Sequence, residues 1–196
     1  GAVEKDKSKS WWKRVLLKHF YIFNSSRHIR LNNLEPLRIL NLKLDLAQES
    51  RISSQAARIE ISAKLKKAGI KRFFIFHPSA QYQYKIYPEH LRTQLLTFLN
   101  TLNIPIIITG SNHKIDYEIK GTLPTLPNLY DWIGKTSLDQ FIALSELSNA
   151  YIGMDTLNMH IAAMQNKRIF AIFGPTNLSM WSPWANELKT GALKNS

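Results

Sequence analysis

Residues 150–184 read AYIGMDTLNMHIAAMQNKRIFAIFGPTNLSMWSPW. The stretch predicts two buried strands, Tyr151–Met154 and Arg168–Phe173, with a helix over Leu157–Gln165 between them. Asp155 and Thr156 fall where the first strand ends and the helix begins, and His160 follows one helical turn later. Gly174-Pro175-Thr176 follows the second strand. Polar groups and a helix N-terminus therefore meet at the carboxyl edge of a sheet. Open α/β proteins bind nucleotides there, because free N–H groups and the helix dipole attract phosphate.

Upstream, the pattern repeats. Phe73–His77 is a short apolar strand, Pro88–Leu102 a helix with proline in its first turn, and Ile104–Thr109 a β-branched strand. His113–Lys120 is a short helix, Leu123–Pro127 a loop and Leu129–Ile133 a short strand. Ser137–Ser148 is a helix capped by Ser137. Strands that are wholly apolar and alternate with helices predict a parallel sheet covered on both faces.

The first 72 residues differ in kind. They carry 17 Lys and Arg against 6 Asp and Glu, whereas residues 73–196 carry 9 against 8. Nucleic acid, anionic lipid and phosphorylated substrates all suit such a basic face, as does plain solvation. Gly1–Ser10 is polar and is expected to be disordered. Trp11–Phe23 is a basic amphipathic helix candidate. It fits either an anionic membrane surface or packing of its aromatic side onto a neighbouring domain, with packing preferred. Asn24–Pro36 reads as a turn-rich connection and Leu37–Leu46 as strand or extended chain. Ser54–Ala68 is a helix, with Ala57, Ile61, Leu65 and Ala68 on one face, Ser54 as cap and Gly69 as stop. The tail after Trp184 is expected to form at most a short helix.

Several classes are excluded. No run of 18 apolar residues offers a membrane span, and no secretory signal pattern is expected at the N-terminus. The absence of cysteine removes disulfides and thiolate metal sites. There is no internal repeat, and no recognised nucleic-acid motif accompanies the basic segment.

Five ordered motifs resemble glycosyltransferase family 9, the lipopolysaccharide heptosyltransferases. His77-Pro78-Ser79-Ala80, with Lys85 and Pro88, resembles the family's HPG/S-A…K-x-W-P segment. Ile106–Gly110 resembles its apolar strand and glycine turn, and residues 133–138 (IGKTSL) its hxGKTSL. Asp155-Thr156 with His160 resembles D-T/S-G-x-x-H-x-A-A, and Phe173–Thr176 with Trp181 and Pro183 resembles FGPT…W-x-P. The resemblance spans about residues 27–184.

It implies the C-terminal, donor-binding half of a GT-B enzyme: a Rossmann-like parallel sheet with helices on both faces over residues 73–196. Residues 1–72 would be the end of the acceptor domain and the interdomain crossing. The implied reaction transfers heptose from an ADP-heptose donor to the lipopolysaccharide inner core, inverting the anomeric centre without a metal or other cofactor. The catalytic carboxylate would lie in an acceptor domain upstream, so this fragment alone is expected to bind nucleotide without turnover. The protein would work in the cytoplasm, peripherally on the inner membrane.

By the same resemblance, Lys85 steadies the leaving phosphate, and Ser79, Ala80 and Gln81 contact phosphate by hydroxyl or backbone groups. Thr156 and the helix start hold the diphosphate. Asp155 takes hydrogen bonds from sugar hydroxyls, and His160 points back to the pocket. Lys135 and Thr136 lie where base and ribose are held. Leu157 stands where the family has glycine, whose missing Cβ lets phosphate approach the backbone. Asn112 stands at a family acidic position that contacts the donor ribose. Asn158 and Lys167 depart as well. These departures leave an alternative from another class, a non-catalytic binding module that kept the scaffold and lost tight donor binding.

Overall fold

The computed structural model describes residues 1–6, 8–42 and 53–184. They form two compact units, one of residues 1–42 with 177–182, the other of residues 53–176 with 183 and 184.

The first unit opens with β1 (Ala2–Val3), followed by helix α1 (Trp11–Leu16), β2 (Tyr21–Ile22) and helix α2 (Ile29–Ile39). Ala2 pairs with Tyr21 and Val3 with Ile22 in parallel, and Val3 is buried, so the expected disorder of Gly1–Ser10 gives way to a small strand pair. Only six residues of Trp11–Phe23 are helical, and α1 buries none of them. The expected aromatic packing is therefore not seen. Trp11 and Trp12 are 63% and 51% exposed.

The turn-rich reading of Asn24–Pro36 is overturned by α2, which carries Pro36 inside it and takes in the start of the predicted strand. Tertiary hydrogen bonds explain this. Fully buried Asn32 donates to the Asn24 and Arg27 carbonyls and accepts from the Asn24 amide. His28 Nδ1 caps the helix by accepting from the Arg30 amide at 3.1 Å. The rest of the predicted Leu37–Leu46 strand, beyond residue 42, lies outside the described residues.

The second unit begins with helix α3 (Gln55–Lys67), capped by Ser54 Oγ and ended at Gly69, whose φ of +69° suits a residue without Cβ. Then follow β3 (Phe74–His77), a 3₁₀ turn over Gln83–Lys85, α4 (Glu89–Asn100), β4 (Ile106–Ile108), α5 (Lys114–Gly121) and β5 (Leu129–Asp131). Helix α6 (Leu138–Leu147), β6 (Ala150–Met154), α7 (Leu157–Met164) and β7 (Arg168–Ile172) complete it. The chain then returns to the first unit through helix α8 (Leu178–Trp181). The predicted tail helix after Trp184 lies outside the described residues.

The five strands β3–β7 form one parallel sheet in the order β5-β4-β3-β6-β7. Side chains alternate across it, as strand geometry requires. Ile75, Ile107 and Tyr151 face α3, α6 and α7, where they meet Ile61, Leu144 and Met159. Phe76, Ile106, Ile108 and Ile152 face α4 and α5, where they meet Leu96, Leu99 and Ile119. Each such burial contributes about 1.5–3 kcal/mol, which is why strands apolar on both faces settle in the middle layer. Helix α6 starts with a capping box between Ser137 and Gln140, and Asp139 in its first turn accepts from the Ser54 amide and hydroxyl, tying its start to that of α3. The crossover from β3 runs to β4 and that from β6 runs to β7, in opposite directions, so a crevice opens at the β3–β6 boundary beyond the strand ends.

Candidate functional site

A cavity of about 840 Å³ lies at the carboxyl ends of these strands. The loop after β3 gives it Ser79, Ala80, Gln81, Tyr82 and Lys85. The turn after β4 gives Gly110, Ser111 and Asp116, the loop after β5 gives Thr136 and Ser137, and the start of α7 gives Asp155 through Asn158. All these residues belong to the second unit.

Its floor is polar and close-fitting. His77, the last residue of β3, is 7% exposed, with Nδ1 3.0 Å from Thr109 Oγ1 at the end of β4. Asn158 Nδ2, from the first turn of α7, lies 3.1 Å and 3.2 Å from the two ring nitrogens of His77. A donor nearly equidistant from both sits over the ring, where the face of a neutral imidazole accepts it. Burial pushes the His77 pKa down to about 4, against the opposing pull of the Asp116 charge. Gly153 lets β6 come this near, since a Cβ there would stand 2.5 Å from the His77 carbonyl oxygen.

Next to the β4 end, Asp116 sits in the first turn of α5 and is 4% exposed. Its Oδ2 accepts from the Ser111 hydroxyl at 2.6 Å. Its Oδ1 is buried without a hydrogen bond among the described residues, against Gly110, where a Cβ would be 2.5 Å away.

At the β3–β6 boundary the groups are charged. Lys85 Nζ stands 3.7 Å from Asp155 Oδ2, and His160 Nε2 stands 4.0 Å from Asp155 Oδ1. The Asp155 side chain is 8% exposed. Thr156 is the N-cap of α7 but does not cap it by its side chain. Its Oγ1 turns back to the Met154 carbonyl at 3.4 Å. Among the described residues, the Leu157 and Asn158 amides donate to no protein group. Two free N–H groups at a helix start, in one cavity with an ammonium, are donors suited to an anion. The 60% exposed Leu157 side chain stands at its rim.

Of the residues singled out from sequence, Ser79, Ala80, Gln81, Lys85, Thr136, Asp155, Thr156 and Leu157 line the cavity together. His160 reaches Asp155 at 4.0 Å but does not line the cavity. Asn112 turns towards Gly134, where its Oδ1 would be 2.5 Å from a Cβ. Lys135 bonds the Asp131 backbone carbonyl, lies 3.4 Å from the Asp131 carboxylate, and borders a separate cavity of about 440 Å³ with Lys64, Lys67, Ala68 and Trp132. Neither Asn112 nor Lys135 lines the main cavity. Sequence reasoning gave no site role to His77, Thr109, Asp116 or Asn158. A histidine ending an apolar strand and an acid in a first helical turn were the available signals. Among the described residues, no group of three or more His, Asp or Glu is arranged to hold a metal ion.

Comparison with known proteins converges on one family. Its sequence profile, glycosyltransferase family 9 (heptosyltransferase), matches residues 3–195. A lipopolysaccharide heptosyltransferase 3 from Escherichia coli is 24% identical over 162 residues, covering 80% of this chain and 47% of the relative. The glycosyl transferase family 9 structure from Veillonella parvula superimposes with a TM-score of 0.74 at 16% identity, over 89% of this chain and 52% of that one. The Escherichia coli heptosyltransferase WaaC with ADP does so with 0.64 at 14% identity, over 87% and 52%. The chain thus spans about half the length of the relatives it matches. The shared fold is the α/β, GT-B type, with a parallel five-stranded sheet flanked by helices. With its five motifs in family order on one sheet edge and the profile matched almost end to end, the chain belongs to glycosyltransferase family 9, the heptosyltransferases.

Proposed function

We propose that this chain is the donor-binding half of a glycosyltransferase that uses a nucleoside-diphosphate sugar, ADP-heptose, and transfers the sugar with inversion to a lipopolysaccharide inner-core acceptor. The observation that carries the reading is the meeting of Lys85 and the uncapped start of α7 across one cavity. In the transfer, an acceptor oxygen bonds to the anomeric carbon as the bond from that carbon to the β-phosphate oxygen breaks. Negative charge gathers on the departing diphosphate. Lys85 and the Leu157 and Asn158 amides stand ready for it, and donors fixed in advance need no reorganisation as charge develops. Asp155, released from Lys85 when phosphate takes the ammonium, accepts from the sugar's hydroxyls. The acceptor's proton goes to a base outside this chain, as the family resemblance implies. No group here requires a metal for these roles.

Calorimetry with ADP and ADP-heptose tests the reading. Micromolar binding that weakens in Lys85→Ala supports it, and no binding up to millimolar overturns it. Exposed Leu157 favours the second reading, a scaffold that has lost donor binding, and that null result is its signature.

We place the protein at the cytoplasmic face of an anionic membrane. Supporting this, α1 leaves Trp11, Trp12, Val15 and Leu16 exposed beside Lys13 and Arg14. No helix among the described residues is long and apolar enough to cross a membrane. Sedimentation with anionic vesicles at low and physiological salt checks the placement, and absence of binding at both refutes it.

A further inference from the structure

The loop after β3 carries two tyrosines that the phosphate chemistry does not use. Tyr82 and Tyr84 flank Gln83 at the start of the 3₁₀ turn that ends in Lys85. Their rings stack at 5.5 Å between centroids and 17° between planes. They are 50% and 65% exposed, and their hydroxyls hold no hydrogen bond among the described residues. Two aromatic rings left in water cost free energy that a folded chain ordinarily recovers by burying them. Here the main chain of the turn fixes them instead, through the Lys85 amide donating to the Tyr82 carbonyl at 3.0 Å.

Their place in the site decides what they meet. A nucleotide sugar has its diphosphate in the middle, base at one end and sugar at the other. The diphosphate position is Lys85 with the start of α7, at the β3–β6 boundary. On the β4–β5 side lie Ser111, buried Asp116 with its unpaired oxygen, and Thr136, a polar wall suited to a nucleoside. The tyrosine turn lies to the other side. A Cβ on Gly174, in the turn after β7, would be 3.8 Å from Lys85 Cα and 3.9 Å from the Tyr84 carbonyl oxygen, so this turn packs beside the β7 end. Tyr82 lines the cavity and Tyr84 backs it by stacking, and what reaches Tyr82 from the diphosphate is sugar.

We propose that Tyr82 and Tyr84 form an aromatic platform for the donor's pyranose ring and set the preference for a sugar-bearing nucleotide over the bare nucleotide. A pyranose presents one face of C–H bonds carrying partial positive charge. The aromatic face is negative, so the two attract in flat contact. The phenol hydroxyls are left to reach the ring's own hydroxyls. The assignment rests on the nucleotide-sugar reading above.

The test is the ratio of dissociation constants for ADP and ADP-heptose, measured by calorimetry on this chain and on Tyr82→Ala/Tyr84→Ala. The parent is expected to favour ADP-heptose, and the variant to lose about tenfold of that preference while its ADP affinity stays unchanged. In Tyr82→Phe/Tyr84→Phe the stacking part of the preference is expected to remain. In the parent, the sugar's ring protons shift upfield on binding and the adenine H8 does not respond to the tyrosine substitutions. An unchanged ratio overturns the platform, and so does an equal loss for ADP and ADP-heptose, which would make the tyrosines a base site. If the parent binds neither ligand, the nucleotide-sugar reading falls and the platform falls with it.

Discussion

Lys85 Nζ lies 3.7 Å from Asp155 Oδ2, so the ammonium proposed above for phosphate is paired with a carboxylate. Removing either partner separates two roles. Lys85→Ala should weaken ADP binding by roughly 10- to 100-fold, the worth of one charged hydrogen bond. Asp155→Asn keeps the shape and removes the competing charge. It should leave ADP binding as strong or stronger and weaken only the sugar-bearing ligand. Titration calorimetry with both ligands reads the difference, and parallel losses for ADP in the two variants would contradict it.

His77 makes the fold acid-sensitive. Unfolded, an imidazole takes its proton near 6.5, whereas buried His77 takes it only near 4. Between those values the unfolded chain holds the extra proton, so acid favours unfolding. Stability from this group is full above about pH 6.5 and declines as pH falls towards 4, by on the order of 3 kcal/mol in all. His77→Gln, which retains an amide for Thr109, should flatten that slope in urea unfolding followed from pH 8 to 4. An unaltered slope in the variant would assign the acid sensitivity elsewhere.

Leu157 narrows the approach to the α7 start. Leu157→Gly removes the Cβ that keeps phosphate from the backbone and should tighten ADP binding several-fold, at a helix cost of about 1 kcal/mol or less at so early a position. Equilibrium competition with a fluorescent ADP analogue measures the gain. Weaker binding would mean that Leu157 contacts the ligand instead of obstructing it.

Gly153 holds β3 and β6 at the spacing that His77 and Asn158 need. A Cβ placed 2.5 Å from a backbone oxygen cannot be relieved by a rotamer change. Gly153→Ala should therefore destabilise the second unit by about 1–3 kcal/mol or more. A melting temperature equal to the parent's would show that the sheet yields more easily than the register implies.

The sheet was legible because Ile106–Ile108 and Ala150–Met154 have no polar face to place, and Ser54 and Ser137 announce their helices. Helix α2 was not, because Asn32 and Pro36 argue against helix locally and are outweighed by hydrogen bonds between Asn32 and the backbone of Asn24 and Arg27 that no periodicity records. The β1–β2 pair is two residues deep and leaves no pattern at all. In the site, the family motifs grouped Lys85, Thr156 and Asp155, and the three meet because the loop after β3 and the turn after β6 open on the same edge of the sheet. Spacing could not show where a flexible side chain turns, hence Asn112 against Gly134 and Lys135 on Asp131. Nor could it show that His77, Thr109 and Asn158 meet, since that depends on β3 lying between β4 and β6.

The return of residues 177–182 to the first unit has a consequence for synthesis. His28 Nε2 meets the Ser182 carbonyl oxygen at 2.8 Å, and Asn177 Nδ2 donates to the Ser25 carbonyl at 2.9 Å. A ribosome delivers Ser25 and His28 more than a hundred residues before their partners. Residues 1–42 must wait, incomplete, while the whole five-stranded sheet is translated. Residues 177–182, made after the sheet, then complete a unit whose other residues were made before it.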